Sequence, residues 1–276
     1  MPRRIAAVLA SVAVLFHVVA AGQTRPPDDD LQVARQALAP TGVLRAAFLR
    51  DNPVQGRVNP QTGEVTGLAA DVTQRLAMVL GTRYQLIPSE NAAAVIMNIN
   101  TGTADFGFLA YDAERTEQVD YAGNLAVMRS SYVVANTSPL RRASDADRMG
   151  SVIGAVKGAS QQLFLISSLR QASLRVFDTQ PARDAIEQLL VTGELSAFAM
   201  NRQRALDLDA ASSALRALPD SFVDIAQAFV VRKGDAAKRA RLQRIAAEMR
   251  ASGVVSASIR KAGLEDSTAV APEDGN

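Results

Sequence analysis

From Val43 onward the chain alternates short apolar runs with stretches whose apolar residues return every three to four positions. The first habit predicts buried strands and the second amphipathic helices. Val43 to Leu49 is a strand. The segment Arg50 to Glu64 holds Asn52-Pro53, Asn59-Pro60 and Gly63, and reads as a loop with a turn. Leu68, Val72, Leu76 and Val79 share one helical face, and Gly81 stops that helix. Tyr84 to Ile87 is a strand ended by Pro88, Ala92 to Asn100 a helix, Phe106 to Leu109 a strand, and Ala113 to about Val119 a short helix.

The same rhythm then repeats. Strands are predicted at Tyr132 to Ala135, Val152 to Val156, Leu174 to Phe177 and Ala197 to Met200, and again at Asp224 to Val231. Helices fall at Ser160 to Leu169, at Pro181 to Val191 with proline in the first turn, and from about Asn201. Two closing helices run near Ala236 to Ser252 and Val254 to Ala262. Strands alternating with helices imply parallel α/β units, and two successive runs imply two lobes. The strands near Tyr132 and Asp224 sit at the junctions and are read as two crossovers returning the last helices to the first lobe.

The ends read differently. Arg3 and Arg4, an apolar run to about Val19, and small residues at Ala20 to Gly22 form an export pattern. The run is shorter than the ~20 residues of a spanning helix. The expected division is a cleaved signal peptide at 1–21, a flexible segment at 22–39 with room for a short helix, and a first lobe at 40–131 plus 224–264. The second lobe takes 132–223, and a frayed tail 265–276.

Export changes the charge picture. Thirty basic residues, less the two arginines of the signal, leave 28 against 28 acidic ones. A chain of zero net charge is a poor partner for phosphate backbones, so nucleic acid is not expected. Cysteine and tryptophan are absent, and His17 is the one histidine, inside the signal. Catalytic triads with histidine, cysteine nucleophiles and imidazole- or thiolate-bound metals are thereby excluded from the exported chain. No cofactor is expected.

The order of segments resembles the family 3 extracellular solute-binding proteins of bacterial ABC importers, from about Gly42 to Gly263. Val43-Leu44-Arg45-Ala46-Ala47 resembles that family's first strand, and Gly67-Leu68-Ala69-Ala70-Asp71-Val72 its first helix start. Gly102-Thr103-Ala104-Asp105 is similar to its turn before a strand. Ala113-Glu114-Arg115 with Val119-Asp120-Tyr121 is similar to its Thr-x-x-Arg segment with a downstream Val-Asp-Phe. Gly154 to Ser160 resembles the second lobe's glycine–serine loop, and Gly193 to Ala197 its Gly-x-x-Asp-Ala turn. The resemblance implies the type II periplasmic-binding-protein fold, two α/β lobes joined by two crossover strands. It also implies a periplasmic monomer that is not an enzyme and delivers a small solute to a membrane permease.

Candidate ligand residues follow. Arg115 is expected against a ligand carboxylate, since a guanidinium fork matches it and a helix start adds N–H groups. A surface arginine paired with Glu114, Glu117 or Asp120 is the structural alternative. Ser160 and the backbone of Ala159 are expected to donate from the second lobe, with Ser160 also able to cap its helix. Asn201 stands where amino-acid binders of the family carry an acid for the ligand's ammonium. Phe108 and Ala110 stand where they carry small hydroxyl residues. These departures favour an organic or aromatic carboxylate over an amino acid, unless Asp178 or Asp51 compensates. Tyr111 either covers the ligand or packs at a lobe edge. Asp71 and Asp105 read as structural, Lys157 as a flanking charge, and Gln227 as a hinge contact. Two alternatives stand beside this reading: a dehydratase or lyase on the same fold, using Glu90, Glu187 or Glu194, and a ligand-binding partner of a membrane sensor.

Overall fold

The structure, a computed structural model, describes residues 28–50 and 52–272. The expected signal and its cleavage lie outside the described residues. The chain runs α1 (Asp28–Leu38), β1 (Val43–Leu49), a small hairpin of β2 (Arg57–Val58) and β3 (Val65–Thr66), then α2 (Leu68–Leu80), β4 (Arg83–Ser89), α3 (Ala92–Asn100) and β5 (Phe106–Ala110). A single 3-10 turn at Glu114–Glu117 leads into β6 (Val119–Ala135). Next come β7 (Val152–Val156), α4 (Ser160–Ser168), β8 (Ser173–Phe177), α5 (Arg183–Val191), β9 (Ala197–Asn201), α6 (Arg202–Ala211) and β10 (Leu215–Ala217). The chain returns through β11 (Val223–Arg232) to α7 (Ala236–Ala251), α8 (Val254–Lys261) and β12 (Thr268–Val270).

The strands follow the order β4-β1-β5-β11-β6-β9-β7-β8, with β10 and β12 also on β6. β6 therefore runs through both lobes of one continuous sheet. Most of it pairs antiparallel with β11, from Val119 opposite Arg232 to Ser130 opposite Val223. Its last residues pair with β9 and β10. Parallel triplets flank it, β4-β1-β5 on one side and β9-β7-β8 on the other. The molecule is a two-lobed α/β protein with β6 and β11 as the connecting strands.

Each lobe has a core on both faces of its sheet. In the first, Phe106, Phe108 and Phe229 pack with ring centroids 5.3 to 5.7 Å apart. They lie under α1, α2, α7 and α8, which add Leu38, Leu76, Ala246 and Val255. Val95, Ile96 and Ile99 of α3 close the opposite face. In the second lobe Tyr132 and Val134 enter one cluster with Ile153 and Leu165, while Val133 and Ala135 enter the other with Ile186, Leu190 and Phe198. Successive β6 residues thus alternate faces, as the strand period of two requires.

The structure departs from the sequence expectations at several points. Residues 28–38 form α1 and bury Leu31 and Leu38, so the entry segment is part of the first lobe from Asp28. Pro88 lies inside β4 instead of ending it, which is possible because β4 is an edge strand. β6 continues through Gly123, where a side chain would come within 2.7 Å of Ala246 on α7, so glycine allows that helix onto the crossover. The described part of the expected tail is packed instead: Ser267 and Thr268 are buried, and β12 pairs with Met128, Val127 and Ala126 of β6.

Candidate functional site

In parallel α/β sheets the ends of strands where the chain leaves toward a helix form the natural crevice. Here β1 ends at Leu49, β5 at Ala110, β7 at Val156 and β9 at Asn201. The residues just beyond β5 and β7 meet between the lobes.

Arg115 is the centre of that meeting. It is buried, at 7% exposure. One terminal nitrogen donates to the Ala110 carbonyl at 2.9 Å and approaches Ser160 Oγ at 3.4 Å. The other donates to the Gly158 carbonyl at 2.8 Å. The guanidinium thus touches both lobes. The surface alternative does not occur: no carboxylate pairs with it among the described residues. A helix dipole does not explain its position, because the expected helix is only a 3-10 turn. Local hydrogen bonds set the turn. Asp112 Oδ1 accepts from the N–H groups of Glu114 at 2.9 Å and Arg115 at 3.4 Å.

Tyr121 reinforces this arrangement, a role that sequence reasoning misses. Its hydroxyl donates to the Ala110 carbonyl at 2.7 Å and accepts from Asp112 N–H at 3.1 Å. Burial pushes its phenol pKa up, against the opposing pull of the Arg115 charge. The protonated hydroxyl fixes the same carbonyl that Arg115 uses. Tyr111 is half exposed and lies on the Tyr121 ring, with centroids 4.9 Å apart.

The other expected residues divide. Ala110 supplies its carbonyl to the cluster. The Phe108 side chain is held in the aromatic core and faces away from any solute. Ala159 N–H is committed to the Val156 carbonyl at 3.1 Å, so the expected free donor is already used. Ser160 is the first helical residue of α4 and does not cap it; Ala159 holds the cap position without a side-chain bond. Asn201 caps α6, accepting from Arg204 N–H at 2.8 Å. Asp178 is paired with Lys157 at the surface, and Asp51 lies outside the described residues.

Three glutamines complete the junction. Gln55, beyond β1, accepts from Leu49 N–H at 2.9 Å and donates to Gln227 Oε1 at 3.0 Å. Gln227 pairs with Ala110 across the β11–β5 ladder. Gln161 of α4 donates to Ser130 Oγ on β6 at 3.0 Å. Arg115, Ser160, Gln161, Ser130, Gln227 and Gln55 are all buried. These six form a polar layer with one positive charge and no acidic side chain.

Two acids of the first lobe have structural positions, as expected. Asp105 holds Arg45 in a two-pronged pair, and Asp71 joins α2 to Ser258 and Lys261 of α8. The acids weighed for an enzymatic alternative lie elsewhere: Glu90 pairs with Arg50, Glu194 with Arg175, and Glu187 is half-buried on α5. Among the described residues no cluster of acids could hold a metal, and no helix is long and apolar enough to cross a membrane.

Comparison with known proteins agrees with this architecture. The model for bacterial extracellular solute-binding proteins, family 3, matches residues 44–264. No curated protein sequence matches the chain. Among solved structures, the amino acid ABC transporter substrate-binding protein AbpA of Streptococcus pneumoniae, bound to L-arginine, is 19% identical. It superposes with a TM-score of 0.65 over 82% of this chain and 97% of its own. The solute receptor for L-cysteine of Neisseria gonorrhoeae is 20% identical, TM-score 0.67, over 83% and 92%. The ancestral amino acid-binding protein AncCDT-1, a precursor of cyclohexadienyl dehydratase, is 19% identical, TM-score 0.66, over 83% and 98%. At such identity these structures share the fold.

Proposed function

The chain belongs to family 3 of the bacterial extracellular solute-binding proteins, and on that premise we propose that it captures a small carboxylate-bearing solute between its lobes for an ABC importer. One observation carries the reading: Arg115 is buried at the junction with only carbonyl and hydroxyl partners among the described residues. Removing a charge from water is costly unless an opposite charge meets it. A guanidinium accepts a carboxylate through two parallel hydrogen bonds. A solute carboxylate supplies the missing partner.

In this mechanism Arg115 becomes accessible when the lobes part, and the solute first meets the first lobe there. The lobes then rotate about β6 and β11 and bring Ser160 and the α4 start onto it. Exclusion of water strengthens the charged hydrogen bonds. The closed form is what a membrane permease recognises, and the protein works as an exported monomer in the periplasm. Of the similar structures, one is bound to L-arginine and another is named a receptor for L-cysteine, and both solutes have a carboxylate. The dehydratase alternative lacks, among the described residues, an acid in the buried layer to move a proton.

Thermal melting of the purified protein against organic acids and amino acids tests the proposal. A carboxylate solute raises the melting temperature in proportion to the logarithm of its concentration, and Arg115→Gln abolishes the rise. Equal responses from both proteins, or no response to any carboxylate, overturn it.

A further inference from the structure

The buried layer holds a second group without a partner. Gln227 is 2% exposed, and its Nε2 has no hydrogen-bond partner among the described residues. Such an orphan donor is expensive. Turning the amide over, so that nitrogen and oxygen exchange places, is the usual relief. The network excludes that here. Leu49 N–H can only donate, so it fixes Oε1 of Gln55 as its acceptor. Gln55 must then offer Nε2, which fixes Oε1 of Gln227 as the acceptor and leaves Gln227 Nε2 over. The side chain lies beside Ala110, whose carbonyl receives Arg115. Helix α4 of the second lobe packs against the same strand, β11.

Resting on the carboxylate reading, we infer that Gln227 determines what the solute carries beside its carboxylate: an uncharged acceptor oxygen, hydroxyl or keto, which receives Gln227 Nε2–H. An ammonium there is disfavoured. Gln227 presents it with a donor, Arg115 with a like charge, and among the described residues the layer has no carboxylate to balance it. Gln55 acts through Gln227 as a positioning residue, because it dictates which end of that amide is free.

The test is isothermal titration of the protein with matched acids on two skeletons. One set is propionate, L-lactate, pyruvate and L-alanine. The other is 3-phenylpropionate, L-phenyllactate, phenylpyruvate and L-phenylalanine. The inference expects the hydroxy or keto acid of at least one set to bind tenfold or more tightly than its unsubstituted and amino counterparts. Gln227→Leu collapses that gap while the unsubstituted acid still binds. Gln227→Glu keeps the acceptor for Gln55 and replaces the free donor with a negative charge, so it inverts the preference toward the amino acid. Melting curves of both variants without solute confirm that they fold. Tightest binding of an amino acid by the unmodified protein, or an unchanged gap in Gln227→Leu, overturns the inference and leaves carboxylate capture intact. Binding of none of the eight acids overturns this inference, and the carboxylate reading falls with it only where the melting screen also finds no carboxylate that responds.

Discussion

The first lobe holds two arginines at opposite ends of one sheet, and they are treated oppositely. Arg45, on β1, meets Asp105 through Nε at 3.0 Å and Nη2 at 2.7 Å, while Asp105 also accepts from Arg45 N–H at 2.9 Å. The hydrogen bonds that Arg45 donates to Asp105 raise its guanidinium above its ordinary pKa. Arg115, at the other end, is the more deeply buried and has no acid among the described residues. A charge that serves the fold is neutralised inside the chain. Under the proposed function, the charge of Arg115 is left for a solute to neutralise. Carbonyl partners alone do not define the second kind. Arg216 on β10 also rests on carbonyls, those of Ser138 and Leu140, but it is only half-buried and sits opposite Val134 at the far end of β6.

This contrast predicts crossed effects, and the larger belongs to Arg115. Arg115→Met keeps the bulk of the side chain and removes its charge. Loss of one partner from a buried ion pair costs about 3–5 kcal/mol, so affinity for a carboxylate solute falls roughly 150-fold or more. The melting temperature without solute stays within a few degrees. Asp105→Asn does the reverse. It leaves Arg45 with a neutral partner and lowers stability by about 2 kcal/mol, less than a fully buried pair because Arg45 retains 21% of its side-chain exposure. Melting falls by roughly 4–8 °C for a chain of this size, while titration shows solute affinity unchanged. A stability loss in Arg115→Met equal to that of Asp105→Asn breaks the distinction.

The sequence makes one side of this contrast more legible than the other. The bounds of β1, α3 and β7 follow from short apolar runs, broken in β1 only by Arg45, and from Gly102 after α3. Arg115 stands out because its segment resembles a known pattern and its residue type is suited to carboxylates. The glutamines do not stand out. Gln55 lies in an aperiodic loop, and its partner is 172 positions away, a separation no local pattern reports. Tyr121 looks like a strand residue, and only the turn back to Ala110 gives its hydroxyl a task. The helix α1 and strand β12 are obscured by their polar ends, since they fold by docking on the first lobe and on β6 rather than by their own propensity.

The second lobe supplies neutral groups, and its substitutions have smaller effects. Ser160→Ala removes one long hydroxyl contact to Arg115. That is worth about 1 kcal/mol, roughly a fivefold loss of affinity by titration. Asn201→Asp is sharper in kind. Aspartate caps a helix as well as asparagine, so melting stays within about 0.5 kcal/mol of the parent. It also places a carboxylate on the second lobe, and relative affinity moves toward solutes with an ammonium. An unchanged preference assigns Asn201 to capping alone.

The smallest effect tests whether closure itself carries charge. Arg57 of the first-lobe hairpin reaches Asp207 of α6 at 3.5 Å, a contact between the lobes with both side chains more than half exposed. Such pairs contribute about 0.2–1 kcal/mol and are screened by salt. Arg57→Ala therefore weakens solute binding by no more than roughly fivefold at low ionic strength, and the difference fades at high salt. The Arg115 effect persists there, because its partners lie in a layer that excludes water. If both variants lose their effect together as salt rises, Arg115 is acting as a surface charge, and the buried, unpaired guanidinium is not what holds the solute.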